Sequence, residues 1–472
     1  MASNNYCNKS FANSYMLLKP EEAHFFDIIR VLFSNNLGHR KFVESNKEGP
    51  LVDESFRHRW LIFISVMLQK LMMFVAKPLA TFGYWVEWLI NLVILNGGLH
   101  RIPFNFLIGK LVIPDCASHT FISSIGNLDG RVKLSNLKRK DSRHYVSLAM
   151  MASKACYENA AFLKATITND WKMEFIGFFE CWNEYMGKVT TQLLIFLDKS
   201  ENSDTYVVAF RGTEPFNADD WCTDLDISWY EIHGVGRIHG GFMKALGLQK
   251  NEGYPKEIER DENHSPLAYY VVRDILRKVF SENDKAKFIV TGHSLGGALA
   301  ILFPTIMFLH DEKLLMERLQ GIYTFGQPRI GDEAYATYMK QKLRENSIIY
   351  SRFVYNNDIV PRLPYDDKDL LFKHFGLCLF FNRHYEVQVL DEEPNKNYFS
   401  LWCMIPMIYN AVLELIRSFT IAYMKGPHYR EGWFLFSFRL LGILIPGLPA
   451  HSPQDYVNST LLGSIQNHFK SD

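Results

Sequence analysis

The chain has 472 residues, 48% hydrophobic and 22% charged, which is ample for a large core and long for one domain. Its 51 basic and 51 acidic residues cancel, so the basic excess of a nucleic-acid binder is missing and no nucleic-acid partner is expected. Seven cysteines, odd in number and without CxxC or other metal spacing, argue against a structural metal and suit reduced thiols facing the cytosol.

Residues 1–56 form a mixed, polar N-terminal region. Lys19-Pro20-Glu21-Glu22 marks a helix start, and Phe25 to Phe33 is apolar-periodic. Glu21, Glu22 and Asp27 and the lack of an apolar core in residues 1–30 argue against a signal peptide. The final Asn-His-Phe-Lys-Ser-Asp matches no prenylation or retention signal.

Residues 57–130 differ sharply. Trp60 to Ala76 and Leu79 to Leu95 are nearly all apolar and are separated by Lys77-Pro78; a shorter apolar stretch runs from Ile102 to Ile113. Each long run is slightly short for a span and carries a charge. A two-helix hairpin turning near Pro78, or helices lying in an interface, fits better than two clean spans. Trp60, Trp85 and Trp88 favour a membrane or lipid surface over a buried core.

From about 131 the composition becomes globular. Tyr145 to Leu163 suits a helix. Gln192 to Leu197 and Tyr206 to Phe210 suit buried strands, and Leu225 to Ile232 is strand-like. Leu267 to Phe280 is an amphipathic helix leading to Phe288-Ile289-Val290, a short buried strand. Gly321 to Phe325 and Arg352 to Tyr355 are further strands. Strands alternating with helices predict a mostly parallel sheet covered on both faces. Apolar character returns at about 398–448, in Tyr398 to Ile421 and Gly432 to Leu448.

The chemistry centres on Gly292-His293-Ser294-Leu295-Gly296, which follows a strand and opens a helix from Ala298 onward. That context makes it a nucleophile elbow, with Gly292 and Gly296 where a Cβ would clash. A serine hydroxyl needs a base and a group to orient that base. With the chain order Ser, Asp, His, the acid is Asp358, in a loop after a strand and next to Pro361. His374, His384, His428, His451 and His468 are the candidate bases. His384 lies in a strand-like run to Leu390, His428 in a polar break and His468 near the chain end. His451, in a Pro-rich loop after the last apolar block, is favoured. The oxyanion needs two donors: the N–H of Leu295, and Thr213 by its N–H and its hydroxyl, in the turn after an early strand.

Phe210-Arg211-Gly212-Thr213, Asp220-Trp221 with Asp224, His239-Gly240-Gly241-Phe242, Gly292 to Gly297, Thr324 to Arg329 and Asn357 to Pro361 together resemble the class 3 lipase family. The resemblance covers about residues 140–365 and the His451 loop. It implies an α/β-hydrolase fold over 131–472, ester hydrolysis on lipids by Ser294, Asp358 and His451, and a lid at about Glu214 to Asp224. The apolar block before the core and the insertion between Asp358 and His451 resemble the plant oil-body triacylglycerol lipases. That likeness implies triacylglycerol as substrate and a lipid-droplet surface, or the endoplasmic reticulum membrane, on the cytosolic face. No metal or organic cofactor is implied. A phospholipase A1 or galactolipase of the same family, a non-catalytic lipase-like scaffold and a structural droplet anchor are the competing readings.

Overall fold

The computed structural model describes residues 11–33, 40–45, 56–134, 143–199, 204–250, 252–259, 263–364, 372–395 and 401–463. Its centre is an eight-stranded sheet: β1 (Glu174–Asn183), β2 (Lys188–Asp198), β3 (Thr205–Phe210), β4 (Lys287–His293), β5 (Leu319–Phe325), β6 (Ile349–Tyr355), β7 (Leu377–Phe381) and β8 (Val387–Leu390). Spatial order follows chain order, from β1 at one edge to β8 at the other. Pairing is parallel from β3 to β7. It is antiparallel at both edges. This is the mostly parallel sheet that the alternation of strands and helices predicts, and it agrees with the α/β-hydrolase fold that the resemblance implies.

Side-chain alternation builds two core layers from one sheet. Leu193, Ile195 and Leu197 of β2 face one side, and Leu194 and Phe196 the other. Val207, Val208 and Ala209 of β3 are all fully buried, as parallel strands covered on both faces require.

The framing helices, in chain order, are α1 (Phe56–Leu95), α2 (Arg143–Ala155), α3 (Ala218–Leu225), α4 (Ala268–Glu282), α5 (Leu295–His310), α6 (Leu401–Lys425), α7 (Trp433–Leu444) and α8 (Pro453–Leu462). Helices α4 and α5 pack on one face of the sheet, α2 and α8 on the other. A second, antiparallel sheet joins Val43–Ser45, Ser14–Leu18, Trp229–Ile232 and Gly236–His239. It buries Met16 and Leu18 against Ile62 and Val66 of α1.

The structure corrects several local expectations. The first two apolar runs do not turn at Pro78: α1 is one helix of 40 residues with Pro78 inside it. Contacts on both sides of the proline, from Ser65 and Gln69 before it and Gly83 after it, dock the two halves on a common surface. Tertiary docking therefore outweighs the helix-breaking tendency of an interior proline. Tyr145 to Leu163 divides after Ala155, because Asn159 caps a new helix by accepting from the Phe162 N–H at 2.9 Å. Leu225 to Ile232 is strand only from Trp229 and belongs to the second sheet, since α3 runs through Leu225. His384 lies in an exposed turn ahead of β8, held there by Asn382 accepting from its N–H at 2.8 Å.

Candidate active site

Ser294 joins β4 to α5 with φ 60° and ψ −131°, a strained conformation for a residue with a Cβ. A Cβ on Gly292 would lie 2.1 Å from the Gly296 carbonyl carbon, and one on Gly296 2.2 Å from the Phe210 carbonyl oxygen. Strand, helix and the end of β3 thus approach more closely than any larger residue permits. The Ser294 N–H donates to the Phe325 carbonyl at 2.9 Å, which fixes the elbow on the end of β5. Leu295 is the first residue of α5, so its N–H has no carbonyl within the helix to bind.

His451 Nδ1 and Asp358 Oδ2 are 2.8 Å apart. Asp358 is fully buried; its Oδ1 accepts from the Val360 N–H at 2.9 Å, and Oδ2 also accepts from the Tyr456 hydroxyl. Those donors lock the carboxylate against the imidazole. His451 Nε2 is buried and hydrogen-bonds to nothing, so Ser294 Oγ is not yet joined to it in this form. Apo hydrogen bonds of this kind tighten when substrate binds.

Three residues that sequence reasoning passed over hold this pair. Gly326 has φ +60°, and a Cβ there would lie 2.8 Å from His451 Cε1 and 2.9 Å from Asp358 Oδ2. Only glycine leaves room for the histidine over the strand end, and its place in Thr324-Phe325-Gly326-Gln327-Pro328 was the signal. Tyr157 donates its hydroxyl to His293 Nδ1 at 2.9 Å, and His293 Nε2–H donates to the His451 carbonyl at 3.0 Å. Burial holds His293 well below the usual imidazole range and keeps it neutral for this role. The His293 and His451 rings stack 4.4 Å apart. Tyr456, on α8, is the third.

The other histidines stand elsewhere. His374 is buried and donates to the Pro361 carbonyl at 2.6 Å. His428 and His384 are exposed, and His468 lies outside the described residues.

Thr213 follows β3, whose Phe210 is in register with Gly292, so its loop lies beside the elbow. Its hydroxyl donates to Asp224 Oδ2 at 2.6 Å, leaving the backbone N–H as the group free to serve an oxyanion. Asp224 sits on α3, and burial pushes its carboxyl up to about 7 against the pull of Thr213 and His451. Asp220, also on α3, pairs with Arg211 at 2.9 Å in the interior. Asn217 caps the helix by accepting from the Asp219 N–H at 3.0 Å. The segment expected as the lid is therefore a short helix tied to the Arg211–Thr213 loop at two points. Its outer side is tied to α1: Ser65 donates to the Leu225 carbonyl at 2.6 Å, and Phe216 meets Phe82 edge to face at 5.7 Å. Ser294 itself is 7% exposed.

A family model described as Lipase (class 3) matches residues 207–368. Triacylglycerol lipase OBL1 of Arabidopsis thaliana is 40% identical to the chain, over 97% of the chain and 96% of that protein. The chain belongs to the class 3 lipase family. This class 3 lipase is also 33% identical to triacylglycerol lipase OBL1 of Ricinus communis, over 96% of each chain. With the lipase of Rhizomucor miehei it shares 32% identity over 35% of its length and 39% of that protein. Among solved structures, a fungal lipase–inhibitor complex overlaps 55% of the chain and 88% of that chain at 24% identity and a TM-score of 0.39. The segment matched by the family model contains the elbow and Asp358; α6, α7 and His451 of this class 3 lipase come after it. Among the described residues no group of three His, Cys, Asp or Glu side chains is placed to hold a metal ion.

Proposed function

We propose that this class 3 lipase hydrolyses triacylglycerol ester bonds at a lipid-droplet surface, through an acyl-enzyme on Ser294. The observation that carries the reading is the His451–Asp358 pair, with Asp358 fully buried and His451 Nε2 unpartnered, stacked on the histidine that precedes a strained Ser294. In the first half-reaction Ser294 Oγ attacks the acyl carbonyl and His451 Nε2 takes its proton. The N–H groups of Thr213 and Leu295 receive the oxyanion. His451 then protonates the leaving glycerol oxygen, and water, activated by the same nitrogen, releases the fatty acid. Asp358 keeps the imidazole in the tautomer that leaves Nε2 free. The similarity to the plant triacylglycerol lipases, running nearly end to end, supports triacylglycerol as the substrate class.

Lipid-surface docking is supported by apolar side chains left outside the body. Helix α1 is about 60 Å long and exposes Phe74, Phe82 and Trp85 along its middle, while both its ends pack on the body. Such a helix lies along the protein and presents one face, as an interfacial helix does. On α6, Trp402, Phe419 and Tyr423 are exposed in the same way. By length and composition both helices could also cross a membrane. Their fixed inner faces favour lying on it. The described cysteines Cys116, Cys156, Cys181, Cys222 and Cys378 are unpaired, which supports the cytosolic side of a droplet or endoplasmic reticulum surface.

The test is fatty-acid release from emulsified triacylglycerol, phosphatidylcholine and galactolipid in parallel, with wild type and Ser294→Ala. Release from triacylglycerol, lost in the variant, is expected. Release mainly from the polar lipids would replace the substrate; no difference between the two proteins would replace the enzyme by a scaffold or anchor.

A further inference from the structure

The insertion between Asp358 and His451 is a hairpin of α6 and α7, and its two sides differ. Its outer side is apolar: Tyr423 is 92% exposed and Trp402 86%. Its inner side carries charge. Glu414 and Arg417 of α6, Glu431 of the connection and Arg439 of α7 turn inward: both arginines pair with Asp455 of α8, and Arg439 also pairs with Glu414 and Glu431. Buried charges are expensive to desolvate unless they are paired, and an apolar hairpin needs none of them to adhere to lipid.

Their contacts lead to the two ends of the His–Asp pair. Arg439 binds Glu431 through Nε at 2.5 Å and Nη2 at 2.7 Å, and through Nη2 binds both oxygens of Asp455 at 3.1 Å. Arg417 Nη2 donates to Asp455 at 2.8 Å, and Tyr385 donates its hydroxyl to the same oxygen at 2.8 Å. Asp455 is the neighbour of Tyr456, whose hydroxyl binds Asp358, and lies one turn beyond His451. On the other side, Arg417 Nη1 donates to the Tyr355 hydroxyl at 2.5 Å. Glu414 Oε1 accepts from that hydroxyl at 3.0 Å and from Asn356 Nδ2 at 2.7 Å. Tyr355 ends β6, and Asn356 begins the loop that carries Asp358.

We propose that Arg439 and Arg417 are positioning residues of the triad: from the lipid-facing hairpin they clamp the helix behind His451 and the strand end before Asp358 into one unit. The hairpin is then a strut as well as a lipid contact. A chain whose acid and base stand 93 residues apart needs such a device, because the connection alone sets no distance between them. The inference rests on the triad reading above.

The test uses the full chain and two substrates, a water-soluble short-chain ester and emulsified triacylglycerol. Arg439→Met is expected to lower kcat on both by about 100-fold, the scale of an ångström-sized misplacement of catalytic groups, with KM and droplet binding unchanged. Arg439→Lys is expected to recover part of kcat, because an ammonium reaches Asp455 but cannot hold Glu431 at the same time. Tyr355→Phe keeps volume and removes only the hydroxyl between Arg417 and Glu414; it is expected to lower kcat about tenfold in a protein with wild-type near-ultraviolet circular dichroism, and it stands in if Arg439→Met does not fold. A folded Arg439→Met or Tyr355→Phe with wild-type kcat on the soluble ester overturns the proposal, as does a loss confined to KM or droplet binding. Wild type inactive on both esters would instead sink the enzyme reading itself, so the two failures are distinct.

Discussion

Phe216 of the lid sits directly on Gly83 of α1: a Cβ on Gly83 would lie 2.4 Å from Phe216 Cβ. Helix α1, which carries the proposed lipid face, is therefore also the dock of the proposed lid. Ser65 and Gln69, bound to the other end of the lid, complete that dock. Gly83→Val expels Phe216 and shifts the lid toward the open form. The rate on a soluble short-chain ester should rise about tenfold, equivalent to 1.4 kcal/mol of closed-state stability, while the further gain on emulsified lipid shrinks. An unchanged ratio of the two rates would mean that α1 does not hold the lid.

Asp224 makes the closed lid sensitive to pH. Its carboxyl is held near 7 by burial, against about 4 for a solvated carboxyl. The closed lid keeps a proton that an open, solvated lid releases. Its extra stability is full below about 4 and is lost as pH rises through about 7, at up to about tenfold per pH unit between. Hydrogen exchange of residues 214–225, corrected for intrinsic rates, should show opening increase from pH 5 to 7 and level off above. Asp224→Asn should reduce the slope and leave the part that belongs to Asp220, whose buried carboxyl on the same helix is also pushed up to about 7; a wild-type profile in that variant would place the titration elsewhere.

Gly326→Ala sets a methyl group against His451 and Asp358 and strains a left-handed backbone at the same residue. The expected result is a loss of about 100-fold or more in kcat on every ester, with a folded protein by circular dichroism. Wild-type activity in this variant would show that the pair has room to move.

His451→Ala should abolish ester hydrolysis, by about 10⁴-fold or more. His384→Ala and His428→Ala should keep activity and fold, since both side chains are exposed and away from Asp358. Assays of the three variants on the soluble ester decide the base, and an active His451→Ala protein would move it.

Much of this site was legible because its geometry is local. A strand of Phe288-Ile289-Val290, glycines two residues either side of Ser294, and a helix after it specify an elbow within a dozen positions. Asp358 followed from a strand end and a proline. His451 was reached only through chain order, because 93 positions separate it from its acid and no spacing rule spans them. Tyr157, Tyr456 and Gly326 stayed hidden for the same reason: each acts on a residue distant in the chain. The continuity of α1 was misread because Pro78 is a strong local signal, while the surfaces that keep its halves in line, Ser65 and Gln69 on Leu225 and Cys222, and Gly83 on Phe216, are tertiary. The inward charges of the hairpin are visible in sequence as Glu414, Arg417 and Arg439, but only packing tells which face they take.

The most direct measurement is covalent trapping with a long-chain alkylphosphonate ester, followed by peptide mass analysis. One adduct per chain on the peptide containing Ser294, forming in step with loss of triacylglycerol hydrolysis and absent from Ser294→Ala, is the predicted result. Full labelling at another residue, or hydrolysis that persists when Ser294 is fully modified, would contradict the account.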